Sequence, residues 1–205
     1  NGTLREFGNF GGAASTIPSL GLTYTSGTGV RTATWTGEVS GAAGEKLKII
    51  QTYSVKTNDV FFTANVQVIN TGTVALSSVK FARSVDPDND QSWGGAYNTL
   101  NNIVSQTPNA QNQALVTATG TAVTDMLLGL GAIDARAAVR YNFSFATTSI
   151  ANMLGGATSG SSTGDAAMAI VFDLGTLNPG QSTSLDYAYI LSSADLSTAL
   201  GTLAA

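Results

Sequence analysis

The chain has 205 residues, of which 11% are charged, and its 9 basic and 13 acidic side chains give a net charge of −4. It contains neither cysteine nor histidine, which excludes disulfides, Cys-ligated zinc, thiol catalysis, Ser-His-Asp triads and histidine metal sites. An acidic chain with so few charges also lacks the basic surface that nucleic acid or anionic lipid requires.

Apolar residues recur at every second position through most of the chain, a pattern typical of strands in antiparallel sheets. The predicted strands, in chain order, cover residues 20–24, 30–39, 47–55, 60–69, 79–85, 114–119, 138–145, 167–173 and 183–191. The third, fourth and fifth of these are predicted to form a meander with one buried face. Residues 126–130 fit either a strand or a helix, 155–164 a Gly/Ser-rich loop, and 193–200 a short helix.

The chain shows no linker and no internal repeat, so a single all-β domain over residues 1–205 is predicted, an antiparallel β-sandwich with little helix. No apolar run approaches the ~20 residues of a membrane helix, so no membrane insertion is expected. The first ten residues resemble the middle of a strand-and-turn region, and we expect the domain to belong to a much larger chain. The low charge favours an extracellular location.

An acidic segment follows the fifth predicted strand. Asp86, Asp88 and Asp90 alternate in it, and calcium takes six to eight oxygen ligands from loops of this kind. The segment lacks the glycine and the closing glutamate of an EF-hand loop. Two interpretations stay open: a calcium site formed by these three aspartates, or a polar turn in which Asp86 caps backbone N–H groups.

Two aromatic residues, Trp93 and Tyr97, follow the acidic segment. An exposed ring beside polar groups is a common platform for a sugar, which makes both residues candidate ligand-binding residues. The simpler interpretation places Trp93 in the core at the edge of the sandwich, because aromatic residues contribute most through burial.

The remaining charged residues point to structure more than to chemistry. Asp134 and Arg136 are two positions apart and are expected to form an ion pair with each other or with Arg83 across the sheet. Catalysis by two carboxylates, as in glycoside hydrolysis, stays possible, but no motif singles out such a pair.

Three segments resemble the β-supersandwich, or split, domains of large bacterial repeats-in-toxin adhesins. They are VQVINTG at 66–72, VKFARSVDPDND at 79–90 and FDLGTLNPGQS at 172–182. The resemblance implies a supersandwich of galactose-mutarotase-like architecture, which accessory domains of glycosidases share, and calcium at Asp86, Asp88 and Asp90. Mutarotases rely on histidine, so their activity is not implied here.

The leading hypothesis from the sequence is a non-catalytic, calcium-stabilised module of a bacterial surface adhesin. It would support or contribute to ligand binding in cell attachment and biofilm formation, with neighbouring domains of the same chain and surface glycans as partners. The alternative is a carbohydrate-binding module that uses Trp93 and Tyr97, and a carboxylate-based glycoside-processing enzyme is the third.

Overall fold

The computed structural model describes residues 5–8, 16–95, 97–123, 125–143 and 149–204. Within these ranges the chain forms twelve strands and two short α-helices. The strands are β1 Ser19–Gly27, β2 Val30–Ser40, β3 Lys46–Lys56, β4 Phe61–Asn70, β5 Leu76–Val85, β6 Thr99–Ser105, β7 Gln113–Gly120, β8 Leu127–Ile133, β9 Ala137–Tyr141, β10 Ser161–Gly164, β11 Met168–Leu177 and β12 Ser182–Ile190. The helices are α1 Ile150–Leu154 and α2 Leu196–Leu203.

The strands form two antiparallel sheets that pack face to face. The larger has nine strands in the order β1-β2-β3-β4-β12-β8-β7-β6-β10, and the smaller has three in the order β5-β11-β9. The prediction of an all-β antiparallel sandwich with little helix is confirmed. No helix in the described part of the chain is long and apolar enough to cross a membrane.

The core lies between the two sheets, because alternate residues of each strand point to one face. Val66 and Val68 of β4 and Leu185 and Tyr187 of β12 face it from the larger sheet and are at most 2% exposed. Phe172 is fully buried on the smaller sheet and lies against Phe81. The period-two pattern of the sequence is thus the pattern of a sheet with one buried face.

The predicted meander of three strands is wrong in its last member. β3 pairs with β4, but β5 leaves this sheet and pairs with β11 in the smaller one. Asn70, at the end of β4, explains the change of direction. Its fully buried side-chain amide donates to the carbonyl oxygens of Val74 and Leu177, both at 2.8 Å. The chain leaving β4 is therefore tied to the end of β11 and does not fold back onto β4.

The other differences lie in short elements. Residues 126–130, which fit either a strand or a helix, belong mostly to strand β8. The predicted loop at 155–164 contains the short strand β10. This strand pairs with β6, which the sequence pattern did not predict. The predicted C-terminal helix is confirmed as α2, preceded by a 3-10 turn that Ser192 caps with its hydroxyl. The predicted strand at 138–145 is described as β9, and residues 144–148 lie outside the described residues.

Candidate metal centre

Two loops leave the same end of the smaller sheet side by side. β5 ends at Val85 and β11 begins at Met168, and these two residues are paired in the antiparallel register. Asp88 lies three residues after Val85, and Asp165 lies three residues before Met168. The pairing of the strands therefore brings two distant acidic segments to one place.

Three carboxylates meet where these loops leave the sheet. One oxygen each of Asp86, Asp88 and Asp165 lies within 4.8 Å of the other two. Two oxygens that bind one calcium ion at 2.3–2.6 Å are separated by at most about 5 Å. The spacing of the three carboxylates is thus compatible with a shared ion without movement of the backbone.

The environment of the three carboxylates favours a cation. Burial and the neighbouring carboxylates of Asp88 and Asp165 raise the pKa of Asp86 to about 6. In addition, Oδ1 of Asp88 is buried and accepts no hydrogen bond from the described residues. An unsatisfied buried acceptor next to like charges is unfavourable, and an oxygen-binding cation removes both problems. The residues present therefore fit calcium.

Asp90, the third aspartate predicted as a ligand, has a different environment. Its side chain is fully buried, and Oδ2 accepts hydrogen bonds from the backbone N–H groups of Thr121 and Ala122, both at 2.7 Å. Asp165 takes its place in the cluster, and the structure brings together only two of the three predicted ligands. Asp90 instead fastens the acidic loop to the turn between β7 and β8.

Asn89 reinforces this attachment. Its side-chain amide donates to the carbonyl oxygens of Ala118 at 3.0 Å and Met126 at 2.8 Å, on either side of the same turn. Two consecutive side chains thus bind the loop to the β7–β8 hairpin. Asp86 and Asp88 are consequently carried on a segment that hydrogen bonds of the protein itself hold in place.

A second buried acceptor lies close to Asp165. The side chain of Asn101 on β6 is fully buried, and its Oδ1 has no hydrogen-bond partner among the described residues. Its Nδ2 is 3.5 Å from the carbonyl oxygen of Gly164, the residue before Asp165. The sequence analysis did not single out Asn101, because a lone asparagine in a strand carries no signal of its own.

Trp93 and Tyr97 are both on the surface. Trp93 is 62% exposed and Tyr97 is 54% exposed. The interpretation of Trp93 as a core residue is therefore wrong. The 3-10 turn Gln91–Trp93 ends at Gly94, whose φ of 80° is left-handed. Gly95 packs against Asp90 so closely that a Cβ on Gly95 would lie 2.6 Å from the Cβ of Asp90.

The predicted ion pair is present. Nη2 of Arg136 is 2.6 Å from Oδ2 of Asp134, in the turn between β8 and β9. Burial tends to raise the pKa of Asp134, but hydrogen bonds from Arg136 hold it below its usual value. Arg83 takes no part, because its Nε donates to the hydroxyl of Tyr189 at 3.1 Å. This pair is structural.

Asp165 is the residue that sequence reasoning missed. It follows a Gly/Ser-rich segment and is far in sequence from Asp86 and Asp88. Its signal is topological: the register of β5 with β11 places it beside Asp88. The sequence pattern does not specify that pairing, because alternation of apolar residues does not show which sheet β5 joins.

No protein-family model matches the sequence, and no curated protein matches it. Among solved structures, a candidate kojibiose phosphorylase from the human microbiome matches with 16% identity and a TM-score of 0.44, over 86% of this chain and 21% of that one. A candidate aldose 1-epimerase from Klebsiella pneumoniae matches with 12% identity and a TM-score of 0.45, over 89% of this chain and 57% of that one.

A GH36 α-galactosidase from Geobacillus stearothermophilus matches with 10% identity and a TM-score of 0.43, over 89% of this chain and 29% of that one. The chain spans 21% to 57% of the length of these three structures. Likenesses at this level of identity and TM-score assign neither an activity nor a ligand to this chain.

Proposed function

We propose that this domain is a non-catalytic, calcium-stabilised module of a bacterial surface adhesin. It supports neighbouring domains, or contributes to ligand binding, outside the cell. The observation that carries the proposal is the cluster of Asp86, Asp88 and Asp165 with the unsatisfied Oδ1 of Asp88. The sequence resemblance to adhesin domains and the charge-poor composition support the same function.

Calcium in this cluster would join the end of β5 to the loop before β11. An ion that binds only the folded state adds about 2.7 kcal/mol of stability at a hundred times its dissociation constant. Extracellular calcium modules commonly have dissociation constants near 10⁻⁴–10⁻³ M. The domain would therefore be stiffened outside the cell and would be looser where calcium is scarce.

Calorimetric titration with calcium tests the proposal at its least obvious residue. We expect Asp165→Asn to weaken calcium binding at least about tenfold, because it removes one of three charged ligands. Asp125→Asn is the matched control, since Asp125 is exposed and outside the cluster. The proposal fails if wild type takes up no calcium, or if both variants bind it as wild type does.

A second candidate function is carbohydrate binding through Trp93 and Tyr97, and the observation that favours it is their exposure. Exposed aromatic rings are surfaces on which sugar rings can stack. Glycan-array binding that Trp93→Ala abolishes and Leu191→Ala leaves intact would support this function. Leu191 is a suitable control because it is also 50% exposed. Absence of binding to any glycan would contradict it.

A further inference from the structure

The inner face of the larger sheet is wider than the smaller sheet that covers it. β5, an edge strand of the smaller sheet, lies over β12, where the rings of Phe81 and Tyr187 are 6.3 Å apart. The inner faces of β1 to β3 extend past this edge, and Tyr24 is 63% exposed. A groove of about 260 Å³ results, which we call the β1–β4 groove. It is lined by Tyr24, Arg31, Thr32, Ala33, Tyr53, Ser54, Val55 and Phe62.

The same face is closed toward the other end of β2. The indole of Trp35 lies over Gly37, where a Cβ would be 2.3 Å from the ring. Nε1 of Trp35 donates to the hydroxyl of Ser19 at 3.0 Å, and Ile17 packs beside it. The opening is therefore restricted to the end of the face that carries Tyr24 and Tyr53, and its size suits a single ring.

Two arginines contribute to this region without a carboxylate partner. Arg31 lines the groove. Arg83 points inward from β5, and its Nε donates to the hydroxyl of Tyr189, whose ring stacks on Phe62 at 4.8 Å. Within the described ranges, no ion pair includes either arginine. In a chain of net charge −4, two uncompensated cations beside one aromatic groove form a distinct positive feature.

The tyrosines around Arg83 do not neutralise it. Burial raises the pKa of Tyr187 and that of Tyr189, so both hydroxyls stay protonated at neutral pH. The hydroxyl of Tyr53 donates to Oε1 of Gln51 at 2.9 Å and is 3.5 Å from that of Tyr187. Burial tends to lower the pKa of Arg83, but the neighbouring tyrosines raise it, so the half-buried guanidinium keeps its charge and can attract an anionic ligand. The phenols supply hydrogen-bonding groups for the same ligand.

We propose that the β1–β4 groove binds a saccharide that carries a carboxylate, such as a uronic acid residue. The aromatic side chains offer ring surface to the C–H face of the sugar, and the tyrosine hydroxyls offer hydrogen bonds to its hydroxyl groups. The guanidinium groups bind the carboxylate, for which arginine has matching geometry. The groove volume of about 260 Å³ is smaller than the roughly 300–1,000 Å³ of drug-sized pockets. A groove of this size suits one sugar residue.

A peptide fits this surface less well than a saccharide. Extended peptides bind sheets mainly through free backbone groups at an edge. In the groove the backbones of β2 and β3 are paired on both sides, with β1 and β4 as their outer neighbours. Along β2 and β3 the groove thus offers side chains only, and a ligand rich in hydroxyl groups uses them better.

The test is an NMR titration of the whole chain with D-glucuronate, D-glucose and an acidic tripeptide. We expect shifts at groove residues with glucuronate, and at least about tenfold weaker binding of glucose, because the charge-assisted bonds are lost. Arg31→Gln should weaken glucuronate binding by a similar factor. Lys48→Gln is the matched control: it removes the same charge from the opposite face of the neighbouring strand β3.

Arg83→Gln tests the arginine beside the groove, which bonds to Tyr189. Tyr24→Ala provides a further variant whose exposed position protects folding. Both should weaken glucuronate binding. The proposal is overturned if glucose binds as tightly as glucuronate, if the tripeptide binds better than either, or if Arg31→Gln and Lys48→Gln have equal effects. It is independent of calcium, so all titrations are made at one fixed calcium concentration and without a carboxylate chelator.

Discussion

At the scale of single residues, three aspartates with the same spacing take two different parts. Alternation at Asp86, Asp88 and Asp90 predicts one shared face only if the backbone is extended. The backbone turns here instead: the N–H of Asn89 donates to the carbonyl of Pro87, and that of Gln91 to the carbonyl of Asp88. The turn directs Asp90 into the protein, whereas Asp86 is exposed and Asp88 is half-buried. This is why the sequence predicted the acidic site but not its full set of residues.

Asp90→Ala should destabilise the protein whether or not calcium is present. The substitution leaves two backbone N–H groups, of Thr121 and Ala122, without their buried acceptor. Hydrogen bonds to charged groups are each worth about 1.5–3 kcal/mol, and we expect a loss of about 2–4 kcal/mol in the free energy of unfolding. Urea unfolding with calcium and with chelator measures it. A loss that appears only in calcium would make Asp90 a ligand and contradict this assignment.

Asp86 should make the ion-free protein less stable as the pH rises. Its pKa is raised to about 6 in the folded protein, above the ordinary value of 3.8. Between these values the folded state binds more protons than the unfolded state, so stability is lost as the pH rises through that window.

The measurement is urea unfolding in chelator at about pH 4 and pH 7. Asp86→Asn is the reference, because it keeps the shape of the side chain and does not titrate. We expect wild type to lose stability relative to Asp86→Asn between the two pH values. An unchanged difference between the two proteins would show that Asp86 has an ordinary pKa.

At the scale of elements, the strands were predictable and their partners were not. Period-two alternation identified nine of the strands, because one face of each is buried. It carries no information about which sheet a strand joins, and β5 was placed in the wrong one. β6 and β10 were missed because β10 has only four residues and β6 is mostly polar. Contacts between distant segments decide these assignments.

Asn70 holds together the turns at the end of the sandwich opposite to the acidic loop. Its side chain is fully buried and makes three hydrogen bonds, to Val74, Leu177 and Gly72. Asn70→Ala should lower the free energy of unfolding by about 2–4 kcal/mol, because it leaves buried backbone groups unpaired. Urea unfolding measures this, with Asn65→Ala as control, since its single bond to Asp186 is exposed. Equal losses in both variants would contradict the role given to Asn70.

At the scale of the whole molecule, the two candidate binding features are on different parts of the sandwich. The acidic cluster lies where β5 and β11 meet at one end of the smaller sheet. The β1–β4 groove lies on the uncovered part of the larger sheet. One feature suits a cation and the other an anion, in a chain whose described ion pairs use few of its charges. An ion bound by the loops beyond β5 and β11 can therefore coexist with a ligand on the uncovered face of the larger sheet.

The central claim is that Asp86, Asp88 and Asp165 bind calcium and that the ion stabilises the fold. Thermal unfolding of wild type and Asp88→Asn, each in excess calcium and in excess chelator, tests it most directly. We predict that calcium raises the midpoint of wild type and that Asp88→Asn loses most of this gain, while in chelator the variant is at least as stable as wild type, because it has one like charge fewer in the cluster. Equal midpoints of wild type with calcium and with chelator would contradict the claim.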